Sequence, residues 1–271
     1  MHMTRTYVIR CLLALGLMSG LVACGSFAHC FNSGFTPAAC GGGYSESDVS
    51  SLSQPTALSA EGRWTGTTST GRAIAGLVLD DGSYWLFYSA RDNPNVLAGL
   101  VHGTGTSHAG SFGSSNTRDF NQEGTGIRAA TMHGSYVPNK SFDGRIAYFN
   151  GEAERFMSTS DADSDSAPNL TQVTGTYAGL RSGHHTVTVT VDAAGTLSGH
   201  ASDGCTVVGT LYPHVKGNVF HTSVTFGGGA CRQGTETLTG VALYDAATQR
   251  LYFAALNSAR TTSYLVLGTK Q

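Results

Sequence analysis

From Gly62 onward, short apolar or aromatic runs alternate with Gly, Asn and Asp turns. The spacing is roughly 8–12 residues, as in all-β sandwiches and barrels. The clearest run is His184–Val191, His-His-Thr-Val-Thr-Val-Thr-Val. It puts His185, Val187, Val189 and Val191 on one face and His184, Thr186, Thr188 and Thr190 on the other, so one face is buried and one wet. His185, on the valine face, is expected to hydrogen-bond inside the body. Val219–Phe226 repeats the pattern with Phe220, Val224 and Phe226 inward. Tyr84–Tyr88 is apolar on both faces, so it should be central or covered by another element. No window beyond the N-terminal segment shows a sustained helical period.

Composition narrows the possibilities further. Of 271 residues, 40% are hydrophobic, 13% are charged and the formal net charge is −2, which excludes a disordered chain. The 36 glycines follow no three-residue period, so collagen is excluded too. With 16 Lys+Arg against 18 Asp+Glu, nucleic acid is not an expected partner.

A weak internal repeat runs through the body. Gly62-Arg63-Trp64-Thr65-Gly66 parallels Gly175-Thr176-Tyr177-Ala178-Gly179, and Gly82 parallels Gly195, both at an offset of 113 residues. Thr125-Gly126-Ile127 resembles Thr239-Gly240-Val241 at an offset of 114. The expected fold is all-β: two small antiparallel barrels or sandwiches, related by a possible duplication. The expected layout is a signal segment at 1–23, a tether at 24–60, β-domains at 61–157 and 174–271, and an acidic linker at 158–173. In the second domain, strands are predicted near 175–180, 184–191, 196–201, 206–212, 218–226, 236–243, 250–256 and 263–268.

Residues 1–23 read as an export signal. Arg5 and Arg10 precede Cys11–Ala23, an apolar run too short for a permanent transmembrane helix. The run ends in Leu21-Val22-Ala23-Cys24, which resembles the lipobox of bacterial lipoproteins at all four positions. The resemblance implies cleavage before Cys24, acylation of that cysteine and a membrane held through acyl chains. Gly25 at the next position, rather than Asp, implies the outer membrane of a Gram-negative host. Removal of Arg5 and Arg10 takes the net charge from −2 to −4. Residues 25–60, with Gly41-Gly42-Gly43 and a Ser-rich stretch, would then form a tether spanning about 35 Å.

Four cysteines remain: Cys30, Cys40, Cys205 and Cys231. An even remainder in an exported protein implies two disulfides. Of three connectivities, the local one, Cys30–Cys40 with Cys205–Cys231, is expected.

Catalytic signatures are scarce. The chain has no Gly-x-Ser-x-Gly elbow and no phosphate loop, since Gly227-Gly228-Gly229 opens no helical pattern. Asp161-x-Asp163-x-Asp165 starts like a calcium loop, but Ser166 and Gln172 occupy the positions that require Gly and Glu. Glu152 and Glu154 share one side of any strand, and whether other carboxylates face them is a matter of folding. The histidines of the β-body (His102, His108, His133, His184, His185, His200, His214 and His221) show no ligand spacing. No metal or cofactor is therefore expected. Trp64, Trp85 and Tyr88 are the candidate binding residues, within an aromatic-rich stretch that would otherwise be core.

The layout as a whole is similar to two-domain β-barrel surface lipoproteins such as the transferrin-binding and factor-H-binding proteins of Neisseria. The similarity is architectural and transfers no residues. It implies a non-enzymatic binding module for a protein or small molecule. An envelope hydrolase, an inhibitor of one, or a structural assembly protein are the alternatives.

Overall fold

The computed structural model describes residues 59–181 and 185–271. The signal, the tether, Cys24, Cys30, Cys40 and His184 lie outside the described residues.

The described chain is two closed antiparallel barrels of eight strands each. The first is built from β1 (Gly62–Thr68), β2 (Ala73–Val78), β3 (Ser83–Ala90), β4 (Asn93–Thr104), β5 (Thr106–His108), β6 (Ser111–Asn121), β7 (Gly126–Val137), β8 (Ser141–Tyr148) and β9 (Ala153–Ser160). It closes where β9 pairs with β1 and where β4 pairs with β6. The short β5 continues the course of β4 beyond Gly105 and lies along β6. A one-turn helix, α1 (Leu170–Val173), precedes the second barrel. That barrel is a plain meander of β10 (Gly175–Arg181), β11 (His185–Val191), β12 (Thr196–Ala201), β13 (Thr206–Pro213), β14 (Val219–Phe226), β15 (Thr237–Asp245), β16 (Arg250–Leu256) and β17 (Ser263–Lys270), closed by β10 on β17.

The alternation in the sequence is the alternation in the barrels. Val187, Val189 and Val191 point inward, as do Phe220, Val224 and Phe226. His185 does not follow them: it sits exposed at the start of β11, beyond the last interior layer, so the expectation of a buried histidine is corrected. The twofold apolar run Tyr84–Tyr88 is explained by two separate cores. Tyr84, Leu86 and Tyr88 face the interior of the first barrel. Trp85 and Phe87 face outward into a third cluster.

That third cluster joins the barrels, which belong to one compact unit. Leu77, Leu79, Trp85, Phe87, Leu100 and Phe120 from the first barrel pack on Val219, Val241, Leu243, Ala254, Leu256 and Leu265 from the second. Arg63, only 3% exposed, reinforces the junction. Its guanidinium donates to the Tyr244 and Gly217 carbonyls at 2.8 and 3.3 Å and pairs with Asp161 at 3.3 Å. The acidic stretch between the barrels thus supplies counter-charges to a buried arginine.

The repeat is visible in the geometry. Gly62 and Gly175 open the first strand of each barrel at φ +138° and +145°, where side chains are disfavoured. Trp64 Nε1 donates to the Ala60 carbonyl at 3.0 Å, and Tyr177 Oη to that of Val173 at 2.7 Å. Each ring therefore ties the incoming chain to its barrel four residues back. A Cβ on Gly66 would stand 2.0 Å from the Met157 oxygen, and one on Gly179 2.0 Å from the Leu267 oxygen. The third sequence match fails: Gly126 opens β7 with nothing near its Cβ position, whereas Gly240 lies inside β15 against the Ala254 carbonyl.

Candidate ligand-binding cup

The interior of the first barrel is graded from one end to the other. At the end near Ala60, Trp64, Phe112, Phe142 and Phe156 form an edge-to-face set with centroids 5.3–5.7 Å apart, which closes the floor. Above it lie Ile74, Leu86, Val101 and Ile146. At the far end, interior positions become polar and a cavity of about 510 Å³ opens. This falls within the range of small-molecule sites.

The cup is organised by one carboxylate. Asp119 on β6 is 1% exposed and accepts from three side chains. Tyr88 Oη on β3 donates to Oδ1 at 2.7 Å. Tyr148 Oη on β8 and Arg128 Nη2 on β7 donate to Oδ2, each at 2.9 Å. Arg128 also pairs with Glu152 at 2.9 Å and stacks 3.8 Å above the Tyr148 ring. The phenol of Tyr88 reaches Asp119 only because Gly99 stands beside it on β4. A Cβ there would be 2.1 Å from Tyr88 Oη.

The electrostatics follow from burial. Tyr88 and Tyr148 are held above the ordinary tyrosine value, first by burial and then by the Asp119 charge. Both therefore stay protonated as donors. Burial pulls Arg128 down, but its hydrogen bond to Asp119 and the surrounding negative charge outweigh this and raise it. Arg72 at the rim pairs with Glu123 at 2.6 Å and lies 5.5 Å from the Tyr88 centroid. Glu154 Oε1 accepts from Ser69 Oγ, Thr70 N and Thr70 Oγ1 at 2.8–3.2 Å. Each carboxylate lining the cup thus accepts from protein donors through at least one oxygen, as part of an ion pair or of a turn.

Of the three aromatic candidates from sequence, only Tyr88 lines the cavity. Trp64 is the floor, 1% exposed. Trp85 is on the outside of the barrel, buried between the barrels with its ring 4.2 Å from His102. Asp119, Arg128, Tyr148, Arg72 and Arg91 were not singled out by their sequence context. An aspartate in mid-strand is unfavourable unless something requires it, and that was the one available signal.

The matching end of the second barrel is shut. Cys205 and Cys231 form a disulfide there, with Cα atoms 4.6 Å apart. Phe226 and Tyr264 pack edge-to-face at 5.2 Å beneath it. Arg181 and Asp203 form an ion pair at the same end. Inside this barrel the void among Tyr177, Leu197, Phe253 and Tyr264 is about 10 Å³, room for one water at most. Outside the closed end, a recess of about 600 Å³ runs between the Asn121–Ile127 turn of the first barrel and Arg181, Gln233, Glu236 and Tyr264 of the second. His214 Nδ1 and His221 Nε2 meet 3.1 Å apart on the surface of this barrel. Among the described residues, no group of three or more His, Cys, Asp or Glu side chains is arranged to hold a metal ion.

Fold and site together define a tandem of eight-stranded barrels, one cupped and one filled. No family model matches the chain, and no curated protein or solved structure matches it either.

Proposed function

We propose that this protein is an outer-membrane lipoprotein, held through acyl chains on Cys24, whose first barrel is a non-enzymatic binding module for a small molecule. The observation that carries the reading is the 510 Å³ cup with its preorganised Asp119–Tyr88–Tyr148–Arg128 network. Preorganised donors lower the ordering cost of binding. The anchor reading rests on the Leu21–Cys24 motif. Asp119, the deeply buried carboxylate of the cup, accepts from three protein donors, so its oxygens serve the network rather than a substrate proton.

Binding is tested on the full chain in detergent, by thermal-shift screening against small metabolites. The control is Val101→Phe, which adds a ring inside the cavity. Ligands that raise the melting temperature of the parent but not of V101F support the cup. Ligands that stabilise both proteins equally, or turnover of a bound ligand, overturn the reading. Incorporation of labelled palmitate that disappears in Cys24→Ser tests the anchor.

A further inference from the structure

We infer that the cup takes a neutral, polyhydroxylated ligand of saccharide type. The inference rests on the binding-module reading above and names the ligand class of the same cup.

The first observation is charge balance. The lining holds Arg72, Arg91 and Arg128 against Asp119, Glu152 and Glu154. Arg128 is neutralised by Asp119 and Glu152, and Arg72 by Glu123. Among the described residues, Arg91 and Glu154 are the lining charges without an ion pair, and they are of opposite sign. A polyanion would meet Asp119 and both glutamates. A cation would find the two tyrosine faces already covered by Arg72 and Arg128. A ligand with net charge would therefore be matched by one of Arg91 and Glu154 and opposed by the other, whereas a neutral ligand meets no such conflict.

The second observation is the unused hydrogen-bonding capacity. Glu152 binds Arg128 through one oxygen, and Glu154 binds its turn through one oxygen, which leaves the second oxygen of each to accept. Arg91 keeps its full fork of donors. The free acceptors lie on the β8–β9 side of the rim and the free donors at the β3–β4 turn, and hydroxyl groups, which donate and accept at once, satisfy both. The third observation is the layer beneath. Ile74, Leu86, Val101 and Ile146 offer an apolar wall for the C–H face of a sugar ring, and the 510 Å³ volume accommodates one or two such rings.

The test is isothermal titration calorimetry of the full chain in detergent. The ligands are glucose, galactose, N-acetylglucosamine, maltose and trehalose. They are set against glucosamine, glucose 6-phosphate, a zwitterionic amino acid (glutamine) and oleate. The expected result is saturable binding of at least one neutral saccharide. Its charged derivative should bind at least about tenfold more weakly, and both V101F and Arg91→Ala should weaken the neutral sugar about tenfold or more. V101F serves as the variant that tests location without removing a polar contact. No neutral saccharide binding at about 10 mM overturns the inference. If glucose 6-phosphate, glutamine or oleate then binds and V101F abolishes it, the cup stands and only the ligand class is overturned. If nothing binds, or if binding is indifferent to V101F, the cup reading falls with it.

Discussion

The two barrels share strand number, direction and the geometry of their opening strand, yet one is hollow at the end where the other is packed. The difference lies in what the ends carry rather than in strand length alone. β4, β6 and β7 have 12, 11 and 12 residues, whereas β13, β14 and β15 have 8, 8 and 9. Part of that added length lies at the floor end, where Ser111–Gly113 of β6 pairs with β5 and Ser135–Val137 of β7 pairs with β8. In the first barrel, the open end carries Asp119, Arg128, Tyr88 and Tyr148, the two tyrosines on strands of only eight residues. In the second, the same level is closed by the Cys205–Cys231 bridge, Phe226 and Tyr264. An eight-stranded barrel is just wide enough either to fill with side chains or to hold one small ligand. Here one chain contains both outcomes.

The largest expected effect contrasts the two interiors directly. Phe253→Ala removes a ring from the filled barrel and should cost about 3–5 kcal/mol, measured by denaturant unfolding. Leu86→Ala borders existing space in the cup, opens no new enclosed void and should cost no more than about 2–3 kcal/mol. Equal losses would break the contrast.

Loss of the disulfide comes next. Cys205→Ser combined with Cys231→Ser should destabilise the protein by about 3 kcal/mol, because the bridge closes a loop with a separation of 26 residues. Hydrogen exchange should accelerate around Ser202–Thr206 and leave the cup strands unchanged.

Asp119→Asn should cost about 1–3 kcal/mol, since it leaves Arg128 with Glu152 alone and weakens two phenol bonds. The same variant sharpens an alkaline prediction. Tyr264, in the filled barrel, is pushed up to about 12 by burial. Tyr88 and Tyr148 are raised by burial and also by Asp119. Each folded value exceeds the unfolded one, so the contribution to stability is present below pH ~10 and is lost as pH rises beyond it. In ultraviolet titration, Asp119→Asn should bring forward the ionisation of the two cup tyrosines and leave Tyr264 in place.

The junction between the barrels responds on the acid side. Burial, reinforced by Arg260, lowers His102 to about 3. Its folded value lies below the unfolded one. Stability from the neutral ring is therefore complete above pH ~6.5 and declines as pH falls toward 3. His102→Gln should flatten the stability profile across that window. The smallest effect is expected at the rim: Phe149, 75% exposed beside the cup mouth, should tolerate Ser within about 0.5 kcal/mol.

How far the site was legible can be traced along β6. Phe112 and Ser114 point inward, and simple alternation would carry Phe120 inward and leave Asp119 outside. The pairing of β6 with β7 slips between Ser114 and Thr117. This irregularity reverses the parity, as an extra residue in one strand does. Thr117 and Asp119 therefore turn into the barrel, and Phe120 turns out to the junction. No local pattern announces that slip, so the residue that organises the cup was invisible before folding. Tyr88 stands out in the sequence for its aromatic neighbours. Its partner Gly99 is an ordinary strand glycine until the phenol lies across it.

The sequence by itself determined the β class, the strands of the second barrel, the Cys205–Cys231 bridge and the halves related by Gly-x-aromatic-x-Gly. Each of these depends on spacing along the chain: alternation, turn residues and short loop closure. Tertiary structure alone decided which barrel is filled, where Asp119 points and that Trp85 is covered by the second barrel. These depend on closure of the sheets and on contacts between residues far apart in sequence, where a one-residue slip exchanges inside for outside.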